Sequence, residues 1–267
     1  MRITNHGATQ RRIEVTSYVE VVLASQAADL AHPAFQKLLA ETEYISENAT
    51  LIARRRPRDS RQNPIIALHT LALPSVNESM VDYESSREKF LGRGRTTESP
   101  LAMNSEKLSQ TTGAVLDAVF SLRCVLIIVP AESLTLGMTT AVTDTHEQAL
   151  ALAELFHDLR GVQRAFDLAW AFTQIELRHL NISARDVHLF HQPGGQLLYP
   201  ESSLRGDATR ISANQLGQNA LWRFGISGDV PVLLLRFTDT GEIDFARTIV
   251  AAALLSISRA EWDWRIH

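Results

Sequence analysis

The hydrophobic period of this chain changes once, near residue 144, and that change constrains the fold more than any other feature. Over residues 11–24 side chains alternate: Ile13, Val15, Ser17, Val19, Val21 and Leu23 point one way, and Arg12, Glu14, Thr16, Tyr18, Glu20 and Val22 the other. Successive side chains of a strand lie on opposite faces, so a period of two predicts a half-buried strand in an antiparallel sheet. Strand-like runs at 51–53 and 65–73 flank an arginine-rich turn, and a second strand pair is expected at 114–129 and 133–143. Residues 74–111, rich in Ser, Glu, Thr, Asn and Gly, read as loops around a short helix near 83–90. After Asp144 the spacing becomes helical. Thr145 opens a capping-type sequence, Ala149, Leu152, Ala153 and Phe156 follow at helical intervals, and Val162, Phe166, Ala169, Trp170, Thr173, Ile175 and Leu177 continue the pattern. The expected organisation is α+β: an antiparallel sandwich over 1–144, then a mainly helical region over 145–267 with one strand near 230–237. No Pro/Gly/Ser linker divides the two, which favours tight packing over flexible tethering.

Residues 221–236 read LWRFGISGDVPVLLLR, an aromatic helix end, a turn and an apolar run with no residue to spare. Gly225 and Gly228 bracket the turn, where glycine takes positive φ without steric cost, and Pro231 forces an extended entry into the run that follows. Trp222, Gly225, Gly228 and Asp229 are therefore read as a structural joint, with Trp222 expected to pack between the helical region and the strand.

Composition narrows function. The chain has 267 residues, 45% hydrophobic and 21% charged, enough for one large core or two smaller ones. A net charge of -4 gives no global attraction to nucleic acid or an anionic membrane. The only cysteine, Cys124, lies in the apolar run 122–129, so no internal disulfide forms and a buried thiol is expected. The first residues carry no apolar leader, and the most apolar stretches, 124–131 and 249–257, fall short of the roughly 18 residues that span a bilayer. The reading is a cytoplasmic chain with no membrane insertion.

Candidate chemistry is sparse. Arg54, Arg55, Arg56, Arg58 and Arg61 suit an anion or sugar-phosphate contact, but with an acidic total charge a solvated hairpin end, its turn fixed by Pro57, is the preferred reading. The FLGRGR run projects Arg93 and Arg95 from a glycine loop, for which pairing to Asp82, Glu84 or Glu88 is preferred over sugar contact. It lacks the context of a dinucleotide fingerprint, and no cofactor is expected. Glycosyl chemistry needs carboxylates, and Asp117, Asp186 and Asp229 are the candidates; each also has a structural reading as a bulge, helix-start or turn residue. Asp186, His188 and His191 have the spacing of a partial metal site without a third ligand, so no metal is expected.

Several segments carry a resemblance: RRIEVTSYVEVVLA (11–24), AADLAHPAFQKL (27–38), ARRRPR (53–58), FLGRGR (90–95), TGAVLDAVFSLR (112–123), AFDLAWAFTQIELRHL (165–180), LLYPESSLR (197–205) and the joint. In this order they resemble the bacterial cyclic β-1,2-glucan synthases over roughly residues 1–250. The resemblance implies part of a galactose mutarotase-like β-supersandwich, of the kind found beside glycoside hydrolase family 94 barrels, followed by a helical linker. It also implies a parent class of large membrane-embedded enzymes that build and cyclise β-1,2-glucan from UDP-glucose, with the general acid of the phosphorylase relatives in an α/α barrel that this sequence lacks. Against that pattern the chain is expected to start partway through the sandwich, to interrupt a helix at Pro193-Gly194-Gly195, and to diverge after residue 256. The expected role is a non-catalytic carbohydrate-binding or scaffolding segment. Tyr18, Tyr83, Arg93 and Arg95 are its candidate glucan contacts, and β-1,2-glucan and the remaining domains of a split synthase its expected partners. A stand-alone glycosyltransferase or phosphorylase acting on β-glucosides, and an inactive gene remnant, are the alternatives. Self-association is expected through the edge of the strand at 11–24.

Overall fold

Two antiparallel sheets face each other across one apolar core in the computed structural model, which describes residues 1–38, 40–56, 65–74, 81–179, 182–183, 187, 206–229 and 238–243. The first sheet contains β4 (Ala40–Ile45), β5 (Thr50–Arg55), β6 (Ile66–Ala72), β8 (Gly113–Ala114) and β11 (Gly137–Thr143), in the order β11-β6-β5-β4-β8. The second is built on β9 (Ala118–Ile128), with β2 (Arg11–Thr16) and β3 (Val19–Glu20) along one side and β7 (Asp82–Ser86) along the other. A small pair, β1 (Arg2–Thr4) and β10 (Ser133–Thr135), completes the strands among the described residues.

Alternation along β9 decides what each face buries. Ala118, Phe120, Leu122, Cys124, Leu126 and Ile128 enter the core between the sheets and meet Val21, Leu51, Ala53, Ala67, Leu71 and Leu136. Val119, on the opposite face, is covered by Phe90, Leu91, Ala102 and Leu108. Arg123 shares that outer face and is 3% exposed. Its guanidinium donates to Ser105 O and Ala102 O at 2.7 Å each and to Thr16 Oγ1 at 3.1 Å, so the charge is held by carbonyl dipoles. The back of the first sheet is closed by a helix. Ile52, Ile66 and Leu68 pack under Ala149, Leu150 and Leu152 of α4 (His146–His157), following α1 (Gln26–Ala31), α2 (Pro33–Lys37) and α3 (Arg87–Leu91). Alanines at 149 and 153, both fully buried, let α4 lie close against the strands. Thr145 caps the helix as expected, accepting the amide of Gln148.

A core polar cluster crosses the two sheets. His69, on β6 and 3% exposed, meets Thr140 Oγ1 at 2.8 Å and Ser17 Oγ at 2.9 Å, with its ring parallel to Phe120. Burial pushes its pKa down to about 4, so the imidazole is neutral at pH 7. Cys124 is buried as expected, and desolvation raises its thiol to about 11.

The expected strand at 11–24 is one ladder in a single register as far as Val21. Ser17 N donates to Leu122 O and Val21 N to Ala118 O, continuing the β2 and β3 pairings with β9. Regular strand lapses at Ser17 and Tyr18, where the Ser17 hydroxyl accepts the Leu122 amide at 2.9 Å. Two expectations need correction. The strands at 114–129 and 133–143 do not pair with each other: both sides of β9 are taken by β2, β3 and β7, and β11 joins β6 in the other sheet. The helix expected at 83–90 begins only at Arg87, because Asp82 and Glu84 lie in a strand whose buried carboxylates accept nearby backbone amides.

By contacts the chain separates into Met1–Leu168 and Ala169–His267. Helix α5 (Leu159–His179) begins in the first and exposes Phe166, Trp170, Phe172 and Ile175; α6 (Ala208–Ala213) and a 3-10 helix at Gln218–Phe224 lie in the second. The fold is α+β, antiparallel sheets followed by helices, as the sequence implies. Among the described residues no helix is long and apolar enough to cross a membrane. The expected strand near 230–237, the break at Pro193-Gly194-Gly195 and the divergent end after 256 lie outside the described residues.

Candidate functional site

The four residues proposed to contact glucan do not converge on one surface. Tyr18 stacks on Phe90 at 4.9 Å and donates to Glu20 Oε1 at 3.0 Å. Burial, then the Glu20 carboxylate, raise its phenol to about 12. Burial also pushes Glu20 upward, but hydrogen bonds from Tyr18 and Arg87 outweigh it and leave that carboxyl below its ordinary value. Tyr83 belongs to a different cluster, stacked on Tyr44 at 3.9 Å beside the inter-sheet core. Arg93 and Arg95 project into solvent from the turn after α3. That turn requires Gly92, whose φ is +81 and whose added Cβ would lie 2.8 Å from Leu101 Cβ.

The preferred pairing of Arg93 and Arg95 with acidic neighbours is not formed; neither makes an ion pair among the described residues. Asp82 accepts from Leu108 N, Gln110 Nε2 and Tyr83 N, and Glu84 from Ser85 N, Ser86 N and Thr111 Oγ1. A carboxylate buried beneath a loop takes that loop's own amides as donors, which leaves the arginines to water. Asp117 lies in the bend before β9, paired with Lys37 at 3.2 Å and Arg87 at 3.7 Å. Asp186, His188, His191, Arg58 and Arg61 lie outside the described residues. No metal-binding group of His, Cys, Asp and Glu occurs among the described residues.

Side chains do converge at the open end of the β4–β5 hairpin. Here a groove of about 680 Å³ is lined by Glu41, Arg54, Arg55, Arg56, Ile66 and residues 144–147 at the start of α4. Glu41 stands directly opposite Arg54 across the ladder. Its carboxylate takes Arg54 Nε at 3.2 Å and Nη2 at 3.0 Å through one oxygen, and Arg56 through the other. Arg56, then Arg54, hold the Glu41 carboxyl below its ordinary value, so it stays ionised at neutral pH and cannot serve as a proton donor. One residue pair along β4, Glu43 meets His146 Nε2 at 2.5 Å. Arg55 turns away to Leu23 O and Gln36. The groove therefore offers fixed donors and acceptors, three arginines against Glu41, Asp144 and Glu147, over an apolar residue, Ile66, a surface for hydroxyl groups more than for a net charge. Sequence reading singled out the arginines but missed Glu41, Glu43, His146 and Glu147, because the strand register that sets Glu41 against Arg54 leaves no local mark.

Sequence comparison assigns the sandwich that carries this groove. The profile of the Glycosyl hydrolase 94 supersandwich domain matches residues 1–159, from β1 through α4. The chain belongs to this family. Similarity runs further along the supersandwich chain: it is 31% identical over 251 residues to the cyclic beta-(1,2)-glucan synthase NdvB of Rhizobium meliloti (strain 1021). That alignment takes in 94% of this chain and 9% of the relative's length.

The joint residues lie beyond the supersandwich match. Gly225 and Gly228 have φ of +68 and +74, the positive values the turn calls for. Asp229 Oδ1 accepts from Gln218 Nε2 at 2.6 Å, a side-chain donor where backbone amides were expected. Trp222, expected to be packed, is 66% exposed, its indole N–H on Ser227 O at 3.3 Å. A local hydrogen bond across the turn, not apolar burial, orients the ring. Trp222→Ala should therefore shift the unfolding free energy by no more than about 0.5 kcal/mol, the range of surface substitutions. Gly228→Val is the damaging change in this segment. It forces a β-branched residue to positive φ, at about 1–2 kcal/mol, and its Cβ would lie 2.9 Å from Gln218 Cγ and Leu221 Cδ1. Denaturant melts of the two variants check the ranking.

Proposed function

We propose that this supersandwich chain is a non-catalytic, glucan-binding scaffold segment that works beside glucan-building enzyme domains. The observation that carries this reading is the charge-compensated groove at the β4–β5 hairpin and the start of α4. Arg54 and Arg56 share the carboxylate of Glu41, and Asp144 and Glu147 in the same lining set three carboxylates against the three arginines. Such a surface presents hydrogen-bonding groups without the uncompensated charge that would select an anion, and vicinal hydroxyls of a neutral sugar satisfy it in pairs. The resemblance to a protein named as a β-(1,2)-glucan synthase makes β-1,2-glucan the sugar to try first. The scaffold role draws on the same groove: the carboxylate best placed in it, Glu41, is clamped ionised by two guanidinium groups, which suits holding a chain and not protonating a leaving group.

Calorimetric titration with linear and cyclic β-1,2-glucans tests the reading. Weak binding is expected, favouring β-1,2 over cellulose-type oligomers, and Arg54→Ala should reduce it by about tenfold or more, the loss of one charged hydrogen-bonding partner. A folded protein that releases no heat at millimolar glucan removes the binding role. Binding unaffected by Arg54→Ala moves it away from this groove.

A further inference from the structure

The outer edge of β2 carries a self-complementary charge pattern, and we propose that two copies of this chain join along it, antiparallel and centred on Ile13. Among the described residues β2 pairs only with β9, from Arg11 opposite Ile128 to Thr16 opposite Arg123. The ladder fixes which residues face outward. Ser17 N donates to Leu122 O, Val21 N donates to Ala118 O, and such bonds recur at every second residue of an antiparallel ladder. Arg11, Ile13 and Val15 therefore turn their backbone groups toward β9. Those of Arg12, Glu14 and Thr16 are left for the open edge. The strand carries no proline or bulge to protect its edge, and its solvent-face charges, Arg12 and Glu14, are of opposite sign.

A second β2 can bond only where outward residues meet outward residues. Full overlap, with Arg11 opposite Thr16, sets inward residues against outward ones and is excluded. The remaining twofold registers that keep most of the strand paired are centred on Ile13 or Glu14. Centring on Glu14 opposes two carboxylates, and like charges directly opposite destabilise a sheet. Centring on Ile13 instead sets Arg12 against Glu14 of the second copy, twice, as hydrogen-bonded pairs. It also brings the two Ile13 side chains together on the inner face, where Ile13 already packs against the core. Within one strand Arg12 and Glu14 pair at 2.6 Å, so joining produces a square of four charges of alternating sign. The contact is confined to β2, because regular strand lapses at Ser17 and Tyr18 and Glu20 is already held by Arg87 and Tyr18.

Sedimentation velocity on the full chain, from micromolar to submillimolar concentration, reads the result. The parent chain should show a monomer–dimer equilibrium, with amide exchange at Arg12 and Glu14 slowing as concentration rises. Arg12→Glu and Glu14→Arg each create like-charge oppositions and should weaken self-association by about ten- to thirtyfold. An equimolar mixture of the two variants re-pairs opposite charges and should dimerise as the parent does. Both substitutions are at solvent-exposed positions, and unchanged circular dichroism and melting confirm that each variant is folded. A parent that stays monomeric throughout overturns the proposal. So does a charge-reversed variant that self-associates like the parent, which would move association to another surface such as the exposed residues of α5, and so does a mixture that stays monomeric.

Discussion

Lowering the pH from 7 toward 4 should remove about 3 kcal/mol of folding stability through one side chain, His69. Its imidazole is depressed from the ordinary 6.5 to about 4 by burial, and its immediate partners are two hydroxyls and an aromatic ring, with no carboxylate to stabilise a cation. The unfolded chain takes up the proton as pH falls through 6.5, while the folded chain resists until about 4. The contribution is therefore complete above the unfolded value and is lost progressively across that window. Acidic groups with lowered values, Glu41 and Glu20, add a slope of the same sign at lower pH, so the measurement is a difference. Urea melts at several pH values should show the parent losing more stability than His69→Gln between pH 7 and 4. Parallel curves would mean that the imidazole is solvated.

Arg123→Met should cost about 3 kcal/mol, although the arginine touches no carboxylate. The guanidinium is the hydrogen-bond partner of Ala102 O and Ser105 O, around the 3-10 helix at Leu101–Asn104. Methionine fills much of the volume and returns none of those donors, leaving Ala102 O with the Ser105 amide alone and Ser105 O without the guanidinium. Loss of stability should be accompanied by faster amide exchange in residues 101–108. A variant within about 1 kcal/mol of the parent would show that water replaces the guanidinium.

What the sequence made legible was whatever local periodicity encodes. The faces of 11–21 were assigned correctly because a strand exposes its alternation residue by residue, and the start of α4 because Thr145 has a side chain that caps. Partner choice left no such trace. An eleven-residue apolar strand such as β9 looks alike whether its neighbours come from residues 11–20, 82–86 or 133–143, and only closure of the whole sandwich selects among them. The same blindness hid the groove, since Glu41 and Arg54 are thirteen positions apart and become neighbours only through the hairpin register. As candidate glucan contacts, Tyr18 and Tyr83 rest on residue type. Each instead stacks on another aromatic ring, since a large apolar face near a core gains more from packing than from water.

The placement of α4 bears on how this module can be moved between proteins. A fragment cut where the hydrophobic period changes, after Asp144, would keep every described strand yet strip the roof from Ile52, Ile66 and Leu68 and remove Thr145, His146 and Glu147 from the wall of the groove. The heritable unit is therefore the sheets plus the helix. Any recombination that transplants the sandwich intact must carry its exit helix with it, so a junction tolerated by evolution or by a protein engineer falls after His157.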